Sequence, residues 1–82
     1  MLVDQVTVEI ATPKGMFTHA FPKTAKISEV INVAVASLGI DSGDSLELVH
    51  NGQVLQPVER PLVSFGLSGH VQLDLVATGS GV

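Results

Sequence analysis

The chain has 82 residues, a formal net charge of −4, 45% hydrophobic and 15% charged residues, and no cysteine. That length supports one small domain with a single core, and so little charge beside so much apolar surface excludes a disordered chain. The four basic residues, Lys14, Lys23, Lys26 and Arg60, are too few and too scattered to follow a nucleic-acid backbone, and without thiols the chain has no disulfide, thiolate metal site or cysteine nucleophile of its own.

Val6, Val8 and Ile10 alternate with Thr7 and Glu9, the period of two of a half-buried strand. Pro13 and Gly15 punctuate a turn. Phe17, His19 and Phe21 then alternate with Thr18 and Ala20, which predicts a second strand and a hairpin ended by Pro22. The period changes after that. Ile27, Val30, Ile31, Ala34, Val35 and Leu38 fall on one helical stripe, with Glu29 in the first turn and Gly39 as a left-handed stop. The β-branched residues along this helix are poor helix formers, so it must gain its stability by packing on the sheet.

"DSGDS" reads as a polar loop and "LELV" as the start of a third strand. Asn51-Gly52 is a strong hairpin signal and predicts a short fourth strand through Val54 and Leu55. Pro57 and Pro61 bracket an irregular segment, and "LVSFGL" reads as a turn of 3₁₀ type. Val71, Leu73 and Leu75 alternate with Gln72 and Asp74 in a last strand, expected inside the sheet and parallel to the first. The expected fold class is α+β, a mixed sheet of four to five strands packed on one helix, in ββαββ order with a short extra strand. Residues 1–76 form the domain and 77–82 a flexible tail.

The order and spacing from Val6 to Val76 resemble the ubiquitin-like β-grasp family. "LELVHNGQVLQ" is similar to the family's strand, glycine turn and short strand. "PLVSFGLSGHVQLDL", led by Arg60-Pro61-Leu62, is similar to its approach to the final strand. The low charge and the ending "LDLVATGSGV" look more like bacterial ubiquitin-like proteins than eukaryotic ubiquitin. The resemblance implies a protein modifier or its precursor, conjugated through a C-terminal glycine. Its implied partners are an activating enzyme, a conjugating enzyme, a deubiquitinase-like protease and target proteins. ATP and zinc would belong to those enzymes, and the chain itself would need no cofactor.

A narrow catalytic channel favours a terminus without side chains. Gly79 and Gly81 meet that need, separated by Ser80 and followed by Val82, where the family's mature form ends in Gly-Gly. Either Val82 is a cap removed to expose Gly81, or the natural chain runs on. Small residues are also common at tolerant, unpacked termini. Two other classes stay open: a non-conjugated binding or self-assembling module, and a sulfur carrier with a terminal thiocarboxylate.

His19 falls on the inward phase of the second strand and is expected either buried with a hydrogen-bonded neighbour or at a partly exposed edge. His50 and His70 flank neighbouring strands but lack a convincing third ligand, so no metal site is expected. Asp41 and Asp44 lack the dense oxygen spacing of a calcium loop, and no serine sits in a G-x-S-x-G elbow. The chain is therefore not read as an enzyme. The exposed sheet face is expected to carry Thr7, Glu9, Glu47, Val49, Gln72 and Asp74. In ubiquitin this face holds an apolar patch. Val49 fits such a patch and Asp74 does not, so general ubiquitin receptors should bind poorly. Lys23 and Lys26, near the helix start, are the candidate acceptors for chains, and none lies near Asn51-Gly52. With no thiols and no leader-like start, a cytoplasmic location is expected, with no membrane partner.

Overall fold

The computed structural model describes residues 4–40 and 46–77. Strands β1 (Gln5–Thr12) and β2 (Gly15–Pro22) form an antiparallel hairpin closed by Pro13-Lys14. The Thr12 hydroxyl donates to the Gly15 carbonyl at 2.7 Å and accepts the Lys14 N–H at 3.0 Å, which fixes the turn from its own side chain.

Helix α1 spans Ile27–Leu38, the limits the apolar stripe predicts. Its Ile27, Val30 and Ala34 are buried, with Ile31 and Val33 packed at the margin of the core. The first N–H groups of a helix have no partner within it. Here the Lys26 N–H donates to the Glu29 carboxylate at 2.8 Å, half of a capping box. The Ile27 and Ser28 N–H groups donate to the carbonyls of Arg60 and Val58, at 3.1 and 2.9 Å. The segment between the two prolines, irregular in the sequence, therefore acts as the cap of α1. Gly39 ends the helix at φ 67°, its N–H on the Val35 carbonyl at 2.9 Å.

Strand β3 (Leu46–His50) turns through Asn51 (φ 53°) and Gly52 (φ 81°), the pair of positive angles a tight hairpin needs. Strand β4 is Gln53–Val54, one residue earlier than the sequence reading. Leu55 leaves the ladder and enters the core, while its N–H keeps a 2.8 Å bond to the Leu48 carbonyl. A 3₁₀ turn over Leu62–Phe65 is anchored by Leu62 N–H on Ala25 O at 2.9 Å and Val63 N–H on Lys23 O at 3.0 Å. Strand β5 (Gly69–Ala77) completes a five-stranded sheet of order β2-β1-β5-β3-β4. As expected, it lies inside the sheet, parallel to β1 and antiparallel to β3.

The core sits between this sheet and α1. Val6, Val8, Ile10, Leu48, Leu73 and Leu75 line the inner face, and Ile27, Val30, Ala34, Leu55, Leu62 and Leu67 close over it. No charged or polar residue is buried among the described residues, so apolar burial dominates the stability of the body. Strand β5 ends with Ala77 opposite Leu46. Gly79, Ser80, Gly81 and Val82 lie outside the described residues, as do Asp41 and Asp44.

Candidate interaction surface

Because side chains alternate across a strand, the register that buries Val8 and Leu73 turns their neighbours to the opposite face. Thr7, Glu9, Glu47, Val49, Gln72 and Asp74 all lie on that outer face, as the alternation predicts. The register also orders them into cross-strand rows. Met16 pairs with Ala11, Ala11 with Asp74, Asp74 with Val49, and Val49 with Val54. This row crosses all five strands, and Asp74 is its single charge. Met16 is the most exposed large apolar residue described, at 59%, and Val76 lies on the same face beyond Asp74, opposite Glu47.

The neighbouring row is polar and internally paired. Thr18, Glu9 and Gln72 stand side by side, with His70 two residues back along β5 on the same face. The Gln72 amide donates to Glu9 Oε1 at 3.1 Å, and His70 Nε2 lies 3.1 Å from Glu9 Oε2. The Gln72 hydrogen bond first, and the His70 hydrogen bond second, hold the Glu9 carboxyl below its ordinary value of 4.5. Sequence reading missed this cluster. It joins residues more than sixty positions apart, and only the β1–β5 register brings them together.

The histidines divide by position. His19 keeps the inward phase between Phe17 and Phe21, yet it is exposed, so the buried alternative does not hold. Strand β2 is an edge of the sheet, and its middle residues Thr18, His19 and Ala20 are exposed. His19 instead stacks on Phe17 at 5.8 Å between ring centroids and meets Phe21 at 4.6 Å. His50 and His70 do not meet. Val49 stands opposite Asp74, four residues along β5 from His70, and His70 pairs with Thr7 of β1. Among the described residues no group of three or more His, Cys, Asp or Glu is arranged to hold a metal ion, and no helix is long and apolar enough to cross a membrane.

Lys23 and Lys26 are both exposed at the start of α1. Lys23 Nζ lies 3.4 Å from Asp4 Oδ1 in a solvent-exposed pair, which leaves the amine open to exchange. Lys26 is the N-cap residue and uses its backbone, not its amine, to hold Glu29.

No family model matches the chain, and no curated protein matches it. Solved structures do. A designed protein based on ubiquitin is 22% identical, with 95% of this chain and 94% of that one covered and a TM-score of 0.80. Ubiquitin of Caldiarchaeum subterraneum is 16% identical, with 95% and 99% covered and a TM-score of 0.77. The ubiquitin-like domain of an Arabidopsis thaliana protein is 16% identical, with 98% and 84% covered and a TM-score of 0.80. At these identities the likeness speaks for the fold, and it agrees with the strand order and the single helix: the chain has the α+β ubiquitin-like fold, a five-stranded mixed sheet packed on one helix.

Proposed function

We propose that this chain is a ubiquitin-like protein modifier of the bacterial kind, acting in the cytoplasm and joined to amines on other proteins through Gly81. The observation that carries the reading is the likeness to an archaeal ubiquitin over 95% of this chain and 99% of that one, a match of whole bodies. The sequence adds a terminus of small residues after the last strand, with Gly79, Ser80 and Gly81 before Val82. Fold alone does not decide function, so the chemistry rests on those residues.

In this reading a deubiquitinase-like protease hydrolyses the Gly81–Val82 peptide bond and consumes one water. An activating enzyme transfers AMP from its ATP to the Gly81 carboxylate, and pyrophosphate leaves. A thiol of the conjugating enzyme displaces AMP, and a target amine then displaces the thiol, forming an amide bond. The chain supplies no catalytic group. Its body is the handle, and glycine lets the backbone enter where a side chain would collide. Lys23 and Lys26 are the acceptors in any chain of modifiers.

Intact-mass measurement of the protein incubated with ATP and an extract of the cells that make it tests this. Loss of whatever follows Gly81 and adducts on other proteins are expected. An unchanged mass would contradict the proposal, and a gain of one sulfur at the terminus would make the chain a sulfur carrier. A second reading, a module that docks partners without conjugation, is favoured by the largely apolar row from Met16 to Val54.

A further inference from the structure

The outer row sets a specific problem for any protein that grips this face. Five strands at about 4.8 Å spacing make a strip about 19 Å long. Met16 and Ala11 lie on one side of Asp74, with Val49 and Val54 on the other. A wholly apolar partner laid along the strip would strip water from the Asp74 carboxylate and return nothing. A partner carrying a cation at that point would recover the loss as a charge-assisted hydrogen bond. Among the described residues no ion pair engages Asp74, whereas Glu9 on the adjacent strand β1 is held by both Gln72 and His70.

The charge of the whole molecule agrees. The four basic residues lie off this face: Lys14 in the β1–β2 turn, Lys23 and Lys26 before α1, and Arg60 in the segment that caps it. Glu47 and Asp74 leave the face acidic. A second copy is therefore a poor occupant, because pairing this face with itself would bring two acidic surfaces without basic partners together.

We infer that the outer face recognises a partner segment that presents one arginine or lysine between apolar side chains, the cation on Asp74 and the apolar groups on Met16, Val49 and Val54. This deepens the view of the chain as a ubiquitin-like module held by other proteins, and it stands whether or not the chain is conjugated. It also separates partners: the acid that admits a basic segment turns away receptors shaped for an uninterrupted apolar patch.

Displayed random peptides selected against the whole chain test the inference. The chain carries Gly81→Glu, so conjugation plays no part and failure of the modifier reading leaves the result untouched. Retained peptides should share one Arg or Lys flanked by apolar residues, and amide shifts on binding should centre on Asp74, Val49 and Val76. The best peptide should bind Asp74→Asn about tenfold more weakly. Its version with the basic residue changed to Glu should bind Asp74→Lys more tightly than the original chain. Amide spectra of the variants check that each is folded. Retained peptides without a basic residue, equal affinity for Asp74→Asn, shifts confined to another face, no retained peptide, or a dimer paired through this face in sedimentation would each overturn it.

Discussion

The two faces of one sheet do different work. The inner face is made of Val6, Val8, Ile10, Leu48, Leu73 and Leu75, each at most 4% exposed. The outer face, one residue out of phase, carries Thr7, Glu9, Glu47, Gln72 and Asp74 with a few apolar side chains between them. Both faces share the same backbone and register, yet among the described residues only the inner one is closed by a second layer. Sequence changes on the inner face are therefore charged to folding. Changes on the outer face leave the core packing intact.

That contrast can be broken from the inside first. Leu48 is fully buried at the centre of the core, and Leu48→Ala should lower unfolding free energy by about 3 kcal/mol in a urea titration. For a domain of this size that is a large share of the total, expected to be about 5–10 kcal/mol. Gly52→Val comes next. Position 52 sits at φ 81°, where a β-branched residue is strained, and a loss of about 1–2 kcal/mol is expected by the same titration. Glu29→Ala removes the acceptor of the Lys26 N–H and should cost about 1 kcal/mol.

The outer face should respond weakly by this measure. Asp74→Asn should change stability by no more than about 0.5 kcal/mol, while altering binding as described above. Glu9 sharpens the comparison through pH. Its carboxyl is held below 4.5 by Gln72 and His70, so its stabilising contribution is complete above that value. The contribution is lost as pH falls through the lower, folded value, because the unfolded chain takes up the proton first. Glu9→Gln should therefore flatten the acid limb of a stability-against-pH curve, with little change in the shape of the curve near neutrality. An unchanged acid limb would mean that the two bonds to Glu9 do not persist in solution.

Much of the body was legible because local chemistry and the final packing agree. The stripe from Ile27 to Leu38 and its stop at Gly39 set the helix limits, and Asn51-Gly52 set the second hairpin. What stayed hidden depended on which strands become neighbours. Phase placed His19 inward, but phase carries no information about whether the helix reaches the edge strand. The pairing of Glu9 with His70 and Gln72 needs the parallel register of β1 on β5, and so does the continuity of Met16, Ala11 and Asp74. The carbonyls of Val58 and Arg60 that cap α1 belong to a segment whose sequence shows only two prolines. The six outer positions were readable singly, and their order as rows was not.

In the proposed modifier the folded body is a handle and the chemistry belongs to Gly81. Denaturing affinity capture from the cells that make the protein, comparing the original chain with Gly81→Glu, tests it most directly. Heavier covalent species are expected on the original chain, with their loss in the variant and the same melting temperature for both. Covalent species that persist in Gly81→Glu, or none on either chain, would contradict it.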